Sequence, residues 1–362
     1  MTSGMERQVI FQHRLTTPGS RWRSRLLIVL TLACCACWLL TGCSLNANKN
    51  IELVKRVGDE ELGCYFAPYE MIQREDVAYV GSATYLVVLD VSDPLNPRCM
   101  SRNDMNRRVD ALVLAGPYAF LAAEGLIVMD ISDPRNPQEL SRYEIDSMAT
   151  DIKFEDDHVF LATTHNGLLI FDVSNPEQPQ LVSQMTFPDA AVESASVSVT
   201  AIDFVDQYAY VLVKGDYPYF IAILDVSNPA APKEIRRFVP ESEYPTWDIV
   251  VHGRHAYLNS GLLSIDIVDV SDPLAPRLVG SMDTPGNPMK YVVDGNHVYV
   301  NDVDGIRVID VANPTQPRVV GFYEIRMSAT TGVSRIGDYL YTVGSTAEDG
   351  YDPKLHIFRF VP

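Results

Sequence analysis

The segment Asp-Val-Ser-Asp-Pro-Leu-Asn-Pro beginning at Asp90 recurs with small changes at Asp130, Asp172, Asp225, Asp269 and Asp310. Successive copies lie 40, 42, 53, 44 and 41 residues apart. A period of this length restricts a chain to stacked or radially arranged repeats. Upstream of the copies stand short alternating runs centred on an aromatic, such as YAFLA from Tyr118, HVFLA from His158, YAYVL from Tyr208, HAYLN from His255 and HVYVN from His297. Each period thus holds four β-like runs, short, rich in β-branched residues and broken by Gly, Asn and Pro, which excludes a helical repeat. In residues 86–90, LVVLD, both faces are apolar, as in a strand sandwiched between neighbouring sheets. Four strands per unit of this length predict an all-β fold, a β-propeller with four-stranded antiparallel blades.

Six units carry the proline element, and a seventh, GDYLYTVGS from Gly337 followed by KLHIFRFVP from Lys354, has three strands and then stops. The missing outer strand is available at the other end of the chain, in NIELVKRVG from Asn50. The expectation is a seven-bladed propeller over residues 51–362, closed by an N-terminal strand that completes the last blade. Such closure removes the open sheet edges that invite aggregation.

A residue type present in every blade serves something every blade needs, whereas a site on the axis needs only a few. By that argument the repeated aspartate, serine and prolines are structural rather than a repeated metal carboxylate or a Pro-x-x-Pro ligand. The side chains are expected to accept from loop amides as Asx and Ser turns, and the prolines to end one strand and start the next. His158, His255 and His297 hold the position occupied elsewhere by Tyr118, Tyr208 and Tyr339, so they read as half-buried fillers. No H-E-x-x-H or G-x-S-x-G pattern occurs.

YLVVLDVSDP, GLIVMDISDP, GLLIFDVSNP and GIRVIDVANP resemble the LVIVD repeat of secreted and surface-attached bacterial proteins. The resemblance covers nearly all of the chain beyond residue 50 and implies a propeller; it carries no general activity. Ala312 replaces the serine in the sixth copy, and the seventh unit lacks the proline element.

The first 42 residues differ in kind. Five arginines precede the apolar run LLIVLTLACCACWLL, the pattern of a signal peptide for residues 1–42, with Met1 or Met5 as the start. Leu40-Thr41-Gly42-Cys43 resembles the lipobox of bacterial lipoproteins, which implies lipidation of Cys43 and a tether over residues 43–50. The apolar run is short for a membrane span. Ser44, where an inner-membrane retention signal of the enterobacterial type has aspartate, favours the outer membrane in a host with that sorting rule. From Cys43 onward the chain holds 24 Lys and Arg against 46 Asp and Glu, a net charge of −22, which argues against nucleic acid as a partner. The remaining cysteines, Cys64 and Cys99, fit either a disulfide or two free thiols in an oxidising compartment.

If sameness marks scaffold, differences mark candidates. Three insertions break the period: residues 186–200, 214–220 and 346–353. In up-and-down blades they share one face with the starts of the inner strands, where Asp110, Asp151, Trp247, Asp248 and Lys290 are the candidate binding residues at the channel mouth. The turn Asp302-Val303-Asp304-Gly305 resembles a calcium-binding loop, although hairpin chemistry accounts for it as well, and no other cofactor is indicated. The expected function is that of a monomeric, membrane-anchored scaffold at the cell envelope, binding a protein or glycan. The alternative is an envelope hydrolase or lyase acting on glycans through Asp110, Asp151 and Asp248.

Overall fold

In every unit the second strand presents an aromatic ring at its third position: Tyr79, Phe120, Phe160, Tyr210, Tyr257, Tyr299 and Tyr341, all buried. Burying one such side chain contributes about 2–3 kcal/mol, and each ring packs where one sheet faces the next. The computed structural model describes residues 50–361 apart from 65–67, 189–196, 216–218, 241–245, 261–263, 285, 287, 303, 327–331 and 347–352. The described residues form seven four-stranded antiparallel sheets, the blades of a propeller. Blades 1 to 6 span 68–104, 111–144, 149–185, 198–238, 246–283 and 288–324. Blade 7 joins Val333–Ile336, Tyr339–Gly344 and Lys354–Phe360 to the N-terminal strand Ile51–Val57. The inner strands touch one another in a closed ring from blade 1 to blade 7 and back. Middle strands are buried on both faces and outer strands alternate with solvent, as the apolar pattern of LVVLD requires. His158, His255 and His297 are half-buried at the predicted filler position. Among the described residues no helix is long and apolar enough to cross a membrane.

The repeated motif does what its residue types suggest. In all six copies the first aspartate accepts the amide two residues on: Ser92 to Asp90 at 3.0 Å, Ser132 to Asp130 at 2.8 Å, Ser174 to Asp172 at 2.9 Å, Ser227 to Asp225 at 3.0 Å, Ser271 to Asp269 at 3.0 Å and Ala312 to Asp310 at 2.9 Å. Loss of the serine at Ala312 is tolerated because the bond is to the backbone, which every residue supplies. The motif also clasps the neighbouring blade. Ser101 Oγ donates to the Pro134 carbonyl (2.8 Å) and Ser141 Oγ to that of Pro176 (2.6 Å), each from the outer strand of the preceding blade. At the equivalent position in blade 5, Gly280 approaches the Pro314 carbonyl so closely that a Cβ would sit 1.9 Å from the oxygen. No side chain beyond a hydrogen fits there in blade 5, whereas blade 4 carries Arg236 at the same position.

Closure follows the expected route. Ile51–Val57 pairs antiparallel with Lys354–Phe360, from Ile51 opposite Phe360 to Val57 opposite Leu355, with one bulge between Leu53 and Lys55. The seam between blades 7 and 1 is packed by Tyr341, Val343, Leu355 and Ile357 against Val80, Val87 and Leu89. Tyr341 OH donates to the Pro94 carbonyl at 2.6 Å, and Lys55 Nζ to Asn96 Oδ1 at 2.9 Å. Beyond the closing strand lies a short helix, Asp59–Leu62, ended by Gly63 in the left-handed region. Cys64 then joins Cys99 on the outer strand of blade 1 through a disulfide, Cα to Cα 6.0 Å. The bridge therefore pins the segment that closes the ring to the first blade it meets.

Two predictions follow from this arrangement. Cross-linking residues 35 apart removes loop-closure entropy from the unfolded chain, an effect of roughly 3–4 kcal/mol; Cys99→Ser is therefore expected to lower Tm, and dithiothreitol to lower the wild-type Tm to match. The second concerns acid. Hydrogen bonds from the serine hydroxyls and amides, and from Arg277 and Arg318, hold the six motif carboxyls below the usual range. Their stabilisation is complete above the ordinary carboxylate value of 3.8 and disappears as pH falls through the lowered ones. Tm is expected to drop progressively below about pH 4, and Asp269→Asn to cost less stability at pH 2 than at pH 7.

Candidate functional site

The geometry at the channel mouth is set by a bulge. In blades 1, 3, 4, 5 and 6 the register between the inner strand and its neighbour slips near the start, before Glu70, Asp151, Ala201, Ile249 and Lys290. Each bulge turns two successive residues to different sides. In blades 1, 3, 5 and 6 a residue of the bulge, Glu70, Asp151, Asp248 or Lys290, faces the channel. Asp151, Asp248 and Lys290 line a central cavity of about 430 Å3, together with Glu70, Lys153 and Asp203. Trp247, at the blade 5 bulge, and Asp110, ahead of the unbulged inner strand of blade 2, do not line it. This corrects the expectation that all five candidates converge.

Asp110 lies ahead of the channel position, which Ala111 holds opposite Ala122. Arg108 donates to its carboxylate, with Nε 2.6 Å away, and the guanidinium lies over the Tyr69 ring at 4.7 Å. Burial nonetheless pushes the Asp110 carboxyl up. Trp247 stays 46% exposed on the rim. Its amide and that of Asp248 both donate to Asn259 Oδ1 at 2.7 Å, which holds the bulge. Lys214 Nζ rests 3.7 Å from the centre of the Trp247 ring and 6.0 Å from that of Tyr219, and burial against them lowers the ammonium pKa.

Within the cavity most carboxylates are engaged. Asp151 accepts the Ile152 amide at 2.8 Å and reaches across to the Ile202 amide of blade 4 at 2.9 Å. Asp203 repeats the device, taking Phe204 at 3.0 Å and Val251 of blade 5 at 2.6 Å. Asp248 accepts from Ile249 at 3.0 Å and pairs with Lys290 at 3.3 Å. Tyr291 OH, from blade 6, donates to the Asp248 carbonyl at 3.1 Å. These contacts sew successive inner strands together. The cavity is open to solvent, for the Lys290 side chain keeps 41% of its surface. Enclosure still raises the Glu70, Asp203 and Asp248 carboxyls; for Asp248 burial and the Asp151 charge outweigh the pull of Lys290. Lys290 is raised by Asp248, and Lys153 by Asp151 and Asp203 against the opposing effect of burial.

Glu70, Lys153 and Asp203 are absent from the sequence-based set. Lys153 and Asp203 stand two residues beyond Asp151 and Ala201, on the same side of the strand, so period-two alternation marks them. Glu70 precedes the first motif copy, where the repeat is faintest. Among the described residues no three His, Cys, Asp or Glu side chains gather as a metal site. In the turn expected to resemble a calcium loop, Asp302 pairs with Gly305 across a hairpin, and its buried carboxylate binds Arg307; Val303 lies outside the described residues. Parts of all three insertions also lie outside them. The inner strand of blade 4 begins at Ser198, inside the first insertion.

Among curated proteins none matches the chain. Solved structures share its fold. A Cps50 (Swd1) β-propeller domain from Myceliophteria thermophila is 12% identical with TM-score 0.64, covering 86% of this chain and all of that one. BamB from Moraxella catarrhalis is 14% identical with TM-score 0.53, covering 81% and 85%. A chain of a mitotic checkpoint complex is 9% identical with TM-score 0.63, covering 98% and 100%. At these identities the likeness concerns architecture alone. The LVIVD repeat model matches six segments, residues 74–104, 106–145, 146–186, 200–239, 245–284 and 285–325, which coincide with blades 1 to 6. With the family's repeat over most of its length, and each copy folded as one blade, the chain belongs to the LVIVD-repeat family.

Proposed function

We propose that this protein is a lipid-anchored scaffold of the bacterial cell envelope that binds a protein or glycan partner through the face around its channel mouth. The observation that carries this reading is a polarity in the topology. Asn50 accepts the Val361 amide at 2.9 Å where the other blades have their motif, so the chain enters the propeller on the motif face. Connections from outer to inner strands, those from second to third strands, the channel mouth and Trp247 all belong to the opposite face. Cys43 precedes Asn50 by seven positions, a reach of about 25 Å at most. A lipid there turns the motif face toward the membrane and the mouth away from it, with the outer membrane as the favoured address. An exposed tryptophan with a lysine on its ring is the kind of anchor that dominates interfaces.

The alternative, acid and base work on glycans by Asp110, Asp151 and Asp248, draws less support. Asp110 lies outside the cavity, and the other two serve neighbouring amides and Lys290.

Cells expressing the full chain are expected to incorporate a palmitate analogue that Cys43→Ser abolishes. After cross-linking in cells and purification from detergent, Trp247→Ala is expected to reduce partner recovery roughly tenfold with little change in Tm. Leu274→Ala, which removes a side chain 58% exposed in a motif loop, is the control and should leave recovery unchanged. Loss of the partner with Leu274→Ala but not Trp247→Ala would reverse the assignment of faces.

A further inference from the structure

The exposed large hydrophobic side chains among the described residues are unevenly placed. Val54, Leu181, Leu278 and Val319 lie on outer strands, and Leu274 and Val361 on the motif face. The other three, Met148, Val239 and Trp247, each roughly half exposed, stand on the mouth face at blades 3, 4 and 5. Contacts join this arc into one surface. Thr164 donates its amide to the Met148 carbonyl at 2.9 Å, and its own carbonyl accepts from Ser198 Oγ of blade 4, also at 2.9 Å. Ser198 pairs across the sheet with Lys214, whose Nζ rests on the Trp247 ring of blade 5. Val239 follows Phe238, which pairs with Ile221 next to Phe220 on the same blade. Ser198 belongs to the first insertion and Lys214 to the second, so the added sequence of blade 4 builds the middle of the arc.

Lys214 is the cation at the centre of this surface. Its contacts among the described residues are the rings of Trp247 and Tyr219, with no carboxylate beside it. That sets it apart in a chain where acidic residues outnumber basic ones 46 to 24 from Cys43 onward, and where Arg107, Arg277, Lys290 and Arg318 are all paired. Burial against the rings lowers its pKa, and a carboxylate arriving from outside would offset that desolvation through a charge-assisted hydrogen bond. The flanks are of the kind that association covers, for Trp and Met are enriched at interfaces between proteins. A glycan fits the surface less well. Lys214 covers one face of the indole, where a stacked sugar ring would have to displace it, and the side chains of Met148 and Val239 offer hydroxyl groups no acceptor. We propose that the arc binds a protein segment that lays apolar side chains over Met148, Trp247 and Val239 and sets an aspartate or glutamate carboxylate against the Lys214 ammonium. The partner of the Trp247 face is thereby narrowed to an acidic, apolar stretch of protein, and the assignment stands only if that face is the binding one.

Cells expressing the full chain are treated with a water-soluble carbodiimide, which joins an amine to a carboxylate in contact with it, and the linked peptides are sequenced. Lys214 is expected to be joined to an Asp or Glu of another protein, with large apolar residues close to that acid in its sequence. Lys214 joined to an acidic sugar would overturn the choice of protein, and Lys214 left free or joined only within its own chain would overturn the contact itself. Partner recovery after cross-linking in cells supplies the second readout. Lys214→Met, which keeps the aliphatic stem, is expected to lower recovery tenfold or more, roughly what a hydrogen bond to a charged group contributes. Lys214→Arg, which keeps the charge, is expected to retain it, and Met148→Ser and Val239→Ser each to weaken it. A partner lost with Trp247→Ala but recovered undiminished with Lys214→Met would overturn this assignment and leave the binding face standing. A partner undiminished by Trp247→Ala would remove both.

Discussion

A propeller exists only if its ring closes, and here closure rests on six residues from one end of the chain pairing with six from the other. Without Ile51–Val57 the last blade would be three strands with an open edge, and Tyr341 and Leu355 would lose part of the packing that makes the seam between blades 7 and 1 resemble the other interfaces. The same requirement decides where the chain begins its fold. Because the closing strand must be the outermost of its blade and antiparallel to Lys354–Phe360, its first residue has to emerge on the face where other blades carry their motif. The Cys64 to Cys99 bridge, the Lys55 to Asn96 contact and the Tyr341 to Pro94 bond all fasten this one junction.

The two faces of the ring are made by opposite rules. On the motif face six of the seven blades repeat one solution, an aspartate accepting a backbone amide two residues on, and at three junctions a proline carbonyl meets a serine or a glycine of the preceding blade. On the other face the residues at the starts of the inner strands differ from blade to blade: Glu70, Ala111, Asp151, Ala201, Asp248, Lys290 and Gly332. Even there, chemistry that invites a catalytic reading is partly structural. Asp151 and Asp203 each join two blades, so their charges are bound into the ring rather than free for a substrate. The Trp247 platform on the rim takes no part in these inter-blade bonds through its side chain.

The architecture was legible because each repeat has to bury both faces of its middle strands. That forces the apolar pattern of LVVLD, the aromatic at the third position and the proline-bounded turn into every copy. The missing seventh outer strand could be read from the same bookkeeping. The site was legible only in part. Asp248 and Lys290 were found because they break the repeat, yet whether a residue at a strand start faces the channel depends on a one-residue bulge, which period-two alternation does not reveal. That is why Trp247 is grouped with them. Asp151 illustrates a second limit, because its partner Ile202 lies 51 residues away on another blade. Glu70 shows a third, since its unit precedes the first motif copy and only the folded ring brings it opposite Asp151 and Asp248.

Hydrogen exchange at the closure tests the central claim most directly. The amides of residues 53–57 and 354–360 are predicted to exchange as slowly as those of the buried strand Tyr85–Asp90, because all three regions would open only with the whole ring. Fast exchange of residues 354–360, with 53–57 exchanging as an unstructured tail does, would show an open ring. It would contradict the account of both the fold and the two faces built on it.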